Sequence, residues 1–383
     1  MKKGKILAAL AAIMMVSGAN VPIMAEVSQL DEVVVEADRY RQNGNESVIK
    51  PLGVVADQVQ NVGLLGEKDA LETPFNSMTL TRKDLDYFGS PEKGPTDMLT
   101  LNPAVRDASS NLYNDVSIRG FNLNGHNMYL NGIQGMLDQQ HAADIYIDKA
   151  TVIAGPNLGI VGTPNRENLG GTILFTSKKA QAEPNLDLTL AYQGGKSFKE
   201  AVDFGTRLGH NQRWGVRVMA DNIQGETAID GDKLMQRDFF VNIDQKTKKS
   251  KTNLLVGYNY ADQKGAQFTW NFNEYNQPKG SRLPKAPDNG RSYLPEWTNN
   301  EYDNWIATLN HEQILSDHTT AFFNAGYHRE DWYGYQYGTP RLQNANGDYT
   351  VHPENYPLAV TTKYFGGGIK GKFNLGLTKH NYV

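Results

Sequence analysis

The side chains best suited to holding a ligand fall in two aromatic-rich stretches. Phe268, Trp270, Phe272 and Tyr275 occupy the first, and Trp332, Tyr333, Tyr335 and Tyr337 the second. Each ring buries a large area and Tyr or Trp can also donate a hydrogen bond, so walls of this composition suit a bulky ligand. The competing reading is interfacial or loop packing, which occupies many such rings in barrels. His126 and His141 add two imidazoles, a common axial ligand of haem, with no further motif in support. Nucleophilic catalysis needs a nucleophile, a base and an orienting group, and no Ser, His and Asp arrangement has recognisable spacing; an enzyme is not expected. The acidic residues form no metal-ligand pattern, so no metal site is expected.

The elements that must position these residues alternate with period two. Leu186, Leu188, Leu190 and Tyr192 are interleaved with Asp187, Thr189, Ala191 and Gln193, the pattern of a strand touching lipid on one side, over the roughly 9–11 residues a tilted membrane strand needs. The pattern recurs at Trp214, Val216 and Val218, at Phe239, Val241 and Ile243, and at Leu254, Val256, Tyr258 and Tyr260. It recurs again at Trp305, Ala307 and Leu309, at Phe323, Ala325 and Tyr327, and at Phe365, Ile369, Phe373 and Leu375. Aromatics near the run ends match interfacial girdles. A soluble sandwich shows the same alternation, but here tight polar links (209–212, 246–251, 316–318) alternate with longer ones rich in aromatics, Gly, Asn and Pro. That asymmetry is the signature of a membrane barrel. The runs predict about eight strands, with a turn at Thr378 to His380 and a further strand opening at Asn381.

Lys2, Lys3 and Lys5 precede an apolar stretch from Ile6 to Ala19 and the small residue Ala25, which reads as a secretory signal cleaved before Glu26. No later segment approaches 18 uninterrupted apolar residues, so any spanning is by strands, and a negative mean hydropathy is normal when half of the strand residues face water. Cysteine is absent, which leaves stability to the strand ladder and a packed core. The net charge of −4 with mixed signs leaves no nucleic-acid footprint. Val33, Val34 and Val35, set in polar sequence with Asp31 and Glu32, form a strand without an obvious neighbour, able to pair with another protein's sheet edge or to open the folded domain.

Residues 63–180 read as a compact α+β unit. Thr81 and Asp84 resemble a capping box ahead of Leu85 and Tyr87, and Pro95 opens a second short helix that stops before Pro103. Strands are expected at Met78 to Leu80, Val116 to Ile118, Met128 to Leu130, Thr151 to Ile153 and Thr172 to Phe175. Gly120 lets the chain turn after Arg119, Asn131-Gly132 is a tight-turn dipeptide, and Gly170-Gly171 permits close backbone approach.

Asp31-Glu32-Val33-Val34-Val35 resembles the TonB box of TonB-dependent outer-membrane receptors. Gly66 with Thr73-Pro74-Phe75-Asn76, Leu101 to Arg106, Ser117-Ile118-Arg119-Gly120-Phe121, Tyr129-Leu130-Asn131-Gly132, Gly155-Pro156 and Gly170-Gly171-Thr172-Ile173 follow in the order and approximate spacing of the plug of ferric-siderophore receptors. The resemblance covers roughly residues 30–383. The chain departs from it at Ala154, where relatives carry a basic residue, and over Pro156 to Gly162, which lacks the usual aromatic.

The resemblance implies an α+β plug domain followed by antiparallel transmembrane β-barrel strands. It divides the chain into a signal (1–25), a TonB-box segment and linker (26–62), a plug (63–180) and the leading part of a barrel (181–383). The family's barrel is of the 22-strand class, so the chain reads as the N-terminal part of a longer receptor. The implied location is the cell outer membrane, and the implied partners are its lipid, a TonB-type energy transducer and a ferric siderophore, with haem, cobalamin or a glycan as alternative cargo. Iron would be carried inside the chelate, so no cofactor is expected. The plug's apical loops, Asn122 to Asn127 and Gly135 to His141, would face outward, making His126, Met136, Leu137, Gln139 and Gln140 candidate contacts beside Trp270, Tyr275, Trp332 and Tyr335. Arg119, charged at a strand end inside a plugged barrel, is expected to pair with a carboxylate and lock plug to wall. Gly120, Gly132, Gly155, Gly170 and Gly171 are structural plug positions.

Overall fold

A computed structural model describes residues 48–49, 55–57, 59–61, 63–69, 76–90, 93–108, 113–155, 161, 169–265, 270–272, 275, 282–337, 340–351, 353–355, 357–375 and 378–383. The expected signal, Asp31 to Val35, Thr73 to Phe75, Pro156 and Phe268 lie outside the described residues.

The wall is an antiparallel meander in which each strand pairs with its sequence neighbours. Its strands are β1 (Asn185–Tyr192), β2 (Phe198–Leu208), β3 (Trp214–Glu226), β4 (Lys233–Lys246), β5 (Ser250–Lys264), β6 (Asn299–Ser316), β7 (Thr319–Tyr337), β8 (Leu358–Leu375) and β9 (Thr378–Tyr382). The pleat sends Trp214, Ile243, Val256, Trp305, Phe323, Tyr327, Phe365 and Ile369 outward, where they are exposed, and sends Asn242, Asn259, Asn304 and Thr308 inward, where they are buried. A soluble sheet would bury the first set; this one buries the second, as a lipid-facing wall requires. Nearer one rim the outward positions become polar, with Tyr258 donating to Asp303 at 3.0 Å and Tyr260 to Glu301 at 3.0 Å.

Alternation missed β2, because Glu200 shares the outward face with Phe198, Val202 and Phe204. The expected turn at Thr378 to His380 is strand instead: β9 pairs with β8, and His380 stacks on Phe373 at 5.0 Å. One rim carries the tight links, at 209–213, 247–249 and 317–318. At the other, 265–298 and 338–357 are long, whereas 193–197 and 227–232 are short, so two connections carry the asymmetry.

The unit ahead of the wall is built on a mixed sheet in the order Val48–Ile49, Val55–Asp57, Asn76–Thr81, Ile147–Ala154, Gly171–Ser177, Tyr129–Leu130, Ile133–Gln134. The sheet thus takes in strands upstream of residue 63. All pairings are antiparallel except Gly171–Ser177 with Tyr129–Leu130. A small second sheet joins Val105–Asp107, Val116–Ile118 and Phe121–Leu123. Helix α1 (Arg82–Phe88) starts in a capping box in which Thr81 N donates to Asp84 Oδ2 at 2.7 Å. The Pro95 element, Gly94–Leu101, is a 3-10 helix. Arg119-Gly120 and Asn131-Gly132 are two-residue hairpin loops with positive φ at both positions, as type I′ turns require. A Cβ on Gly170 would sit 2.1 Å from the Ile118 carbonyl oxygen, so only glycine lets these backbones meet.

Leu80, Leu85, Leu99, Ile118, Leu130, Tyr146, Val152 and Phe175 form the core of this plug, and the cluster continues without a break into Met219, Phe240, Leu255 and Ile306 of the wall. Tyr146 stacks on Phe240 with centroids 4.2 Å apart. The Phe240 ring lies over Gly257, where any side chain would collide with it. The lumen face therefore carries an apolar patch against which the plug seats.

Candidate functional site

The apical segments of the plug are stitched together before they meet the wall. Asn114 N donates to the Gln139 carbonyl at 2.7 Å, Asn114 Nδ2 to the Asp138 carbonyl at 3.1 Å, and Gly125 N to Asp115 Oδ1 at 3.1 Å. Asn124 Oδ1 caps the single turn Gly125–Asn127 by accepting from His126 N. Four contacts then tie this apex to lumen-facing side chains. His126 Nε2 lies 2.8 Å from Glu330 Oε2, and His328 Nε2 lies 2.6 Å from Asp138 Oδ1. His141 Nε2 meets Gln236 Oε1 at 2.7 Å, and Tyr113 packs edge-on against Trp332 at 6.1 Å. Burial pushes the Asp138 carboxyl up, against the opposing pull of His328.

Lower down, the Asn131-Gly132 turn reaches β6. Asn131 Nδ2 donates to Ser177 Oγ at 2.9 Å and Thr308 Oγ1 at 3.2 Å, and Asn310 Nδ2 donates to the Asn131 carbonyl at 2.8 Å. A charged latch completes the seat. Asp144 accepts from Lys199 of β2 at 3.2 Å and faces Arg82 of α1 at 3.6 Å; Lys199 also reaches Asp221 of β3 at 3.1 Å. Lys178 and Arg217 share Asp203, at 2.9 and 2.6 Å. Burial alone would push the Asp144 carboxyl up, but Lys199 and Arg82 outweigh it and hold the group below the usual carboxylate range. Burial likewise pulls the Lys178 ammonium down, despite Asp203. The plug is thus held by an apolar patch and ion pairs drawn from helix, loop and linker.

Several expected contacts take other places. Met136 and Leu137 are fully buried in the shared core, with the Met136 sulfur against Gly326, so neither offers a surface to a ligand. Gln140 is buried, and Trp332 is sealed among Tyr302, Tyr113 and Asn300, to which its Nε1 donates at 3.2 Å. His126 and Gln139 remain partly exposed on the apex. Trp270 stands edge-on to Tyr293 at 5.7 Å and Tyr349 at 4.9 Å, which ties the two long loops together; Asn271 N donates to the Pro340 carbonyl beside them. Tyr275 Oη donates to the Arg282 carbonyl within its own loop. Tyr335 sits high on β7 opposite Asn299.

Among the described residues Arg119 has no carboxylate partner that would lock the plug. Its left-handed turn position, φ 53°, leaves it exposed, and among the described residues it forms no ion pair with the wall. Among the described residues that task falls to Lys178 and Lys199, and Arg82 joins in only through Asp144. The absence of a metal-ligand pattern in sequence also fails to carry over, since the fold gathers Asp138, His328 and Glu330. Their sequence signal was the spacing of His328 and Glu330, i and i+2 on one lumen-facing strand.

No family model matches the chain. The ferrichrome receptor FcuA of Yersinia enterocolitica is 27% identical over 353 residues, 91% of this chain and 45% of that protein. Among solved structures, the ferric preacinetobactin receptor BauA of Acinetobacter baumannii superposes with a TM-score of 0.78 at 24% identity, covering 85% of this chain and 48% of that one. Over the matched residues the fold is the one seen in that receptor. The pyoverdine outer-membrane receptor FpvA of Pseudomonas aeruginosa agrees, with a TM-score of 0.70 at 15% identity over 87% of this chain and 49% of that one. The chain thus spans about half the length of the receptors it matches.

Proposed function

We propose that this chain provides the plug and leading barrel strands of a TonB-dependent outer-membrane receptor that binds a ferric siderophore outside the cell and imports it. The observation that carries the reading is the folded plug latched inside a lipid-facing wall. A passive pore gains nothing from an obstruction held by a continuous core and several ion pairs, whereas a gated importer needs one that leaves only when energy is supplied. Similarity to a ferrichrome receptor and to ferric preacinetobactin and pyoverdine receptors supports an iron chelate as cargo. Iron is then substrate, enclosed by its chelator. Haem has less support, because Glu330 holds His126 and Gln236 holds His141.

Energy would enter through residues 31–35, whose β-branched run suits strand addition to a periplasmic partner. The test is uptake of radiolabelled iron as ferric hydroxamate, catecholate and citrate chelates by cells whose only siderophore receptor contains this chain. Uptake that requires an energy transducer of the TonB type supports the reading; iron entry at equal rates without the transducer contradicts it.

A further inference from the structure

The carboxylates of Asp138 and Glu330 are completely buried, and Asp138 Oδ2 and Glu330 Oε1 have no hydrogen-bond partner among the described residues. No lysine or arginine pairs with either there; the neighbours are His126 and His328, whose rings lie 6.2 Å apart. His328 Nδ1 lies 2.9 Å from the Gly135 carbonyl, which can only accept, so Nδ1 carries a proton and Nε2 is turned toward Asp138. Nε2 lies 2.6 Å from Asp138 Oδ1, a nitrogen and an oxygen placed to share either a proton or a metal ion. The two unpartnered carboxyl oxygens, buried away from solvent, are free to serve as ligands. A backbone carbonyl fixing the far nitrogen of a histidine is also the usual outer-shell arrangement around a metal.

We propose that His126, Asp138, His328 and Glu330 form a divalent transition-metal site that clamps the plug apex to the barrel wall. One donor atom from each of Asp138, His328 and Glu330 already lies within 4.8 Å of the others, and His126 Nε2 is 2.8 Å from Glu330 Oε2. Two imidazole nitrogens and two carboxylate oxygens suit Zn2+ and its first-row neighbours rather than Ca2+ or Mg2+, which take oxygen ligands. Tetrahedral zinc with bonds of about 2.0–2.1 Å separates its donors by roughly 3.3 Å, so the pairs now at 2.6 and 2.8 Å would open by roughly half an ångström or more. His126, with 23% of its side chain exposed, gives the ion a path from the apical surface. The plug supplies His126 and Asp138 and the wall supplies His328 and Glu330, so a bound ion crosslinks two parts of the receptor that transport must separate.

The test is calorimetric titration of the chelator-treated receptor in detergent with Zn2+ and no siderophore present, with Co2+ as a spectroscopic probe. The expected result is one equivalent of Zn2+ bound, a raised Tm, and the intense visible absorption of tetrahedral Co2+. His126→Ala should weaken binding by at least about 10-fold, and His126→Ala with Glu330→Gln should abolish it. No Zn2+ binding by the folded receptor, or unchanged affinity in His126→Ala, overturns the proposal. His126→Ala alters the least buried ligand, so it decides the matter even where Glu330→Gln fails to fold. Because no iron chelate is present, the outcome is separate from that of the transport reading.

Discussion

Replacing Asp144 by Asn removes a charge that joins helix α1, through Arg82, to Lys199 of the wall while keeping the shape of the side chain. Asp144 is held by Lys199 at 3.2 Å and faces Arg82 at 3.6 Å, and both cations keep a second partner, Asp221 and Asp86. Neither is orphaned, so the cost falls below the roughly 3–5 kcal/mol of a broken buried pair and near the upper range for a charged hydrogen bond, about 2–3 kcal/mol. At roughly 2–4 °C per kcal/mol, the range for about 150–250 residues and so an upper bound for this longer chain, Tm should fall by up to about 4–12 °C, read by scanning calorimetry in detergent. The control is Lys196→Met at the exposed Lys196–Glu226 pair, where the loss should stay below about 0.5 kcal/mol. The pH dependence has a definite sign. Because the folded-state carboxyl of Asp144 is held below its unfolded value of about 3.9, its contribution is complete above that pH and is lost as pH falls below it; Asp144→Asn should flatten the acid limb of the stability curve. A Tm within a degree or so of wild type, or a loss no larger than that of Lys196→Met, would refute the latch.

Other consequences can be checked independently. Val34→Pro removes a backbone donor from the segment proposed to add to the transducer's sheet, so iron uptake should be lost while chelate binding in the purified receptor is kept. Gly170→Val places a Cβ 2.1 Å from the Ile118 oxygen and 2.9 Å from Phe121 Cβ, and should cost at least about 1–3 kcal/mol by denaturant unfolding; an unchanged midpoint would show that the hairpins do not meet there. Met136→Leu, a volume-conserving change inside the shared core, should leave chelate affinity unaltered, as measured by fluorescence titration. Mass analysis of the mature protein should find its terminus at Glu26.

The wall was legible because lipid outside and a packed, polar lumen inside impose period two on residues such as Leu254, Val256 and Tyr258. Strand β2 escaped because Glu200 breaks that period, and β9 because its few residues resemble a turn. The plug's hairpins were readable from Asn131-Gly132 and Arg119-Gly120, since left-handed turn positions restrict residue type. What holds the plug was not. Lys199 and Asp144 are 55 positions apart and His126 and Glu330 are 204 apart, so no local spacing announces either pair. Arg119 drew attention as a charge beside a motif, yet the turn that makes the motif also points it to solvent. Met136 and Leu137 read as loop residues because their sequence neighbours are polar, whereas the fold turns both into the core.

The most direct test of the account is a tryptophan-fluorescence binding screen of the purified receptor against ferric hydroxamate, catecholate and citrate chelates, haem and cobalamin. The account predicts saturable binding of at least one ferric siderophore class, unaffected by Val34→Pro. Saturable binding of haem alone, abolished by His126→Ala, would contradict it.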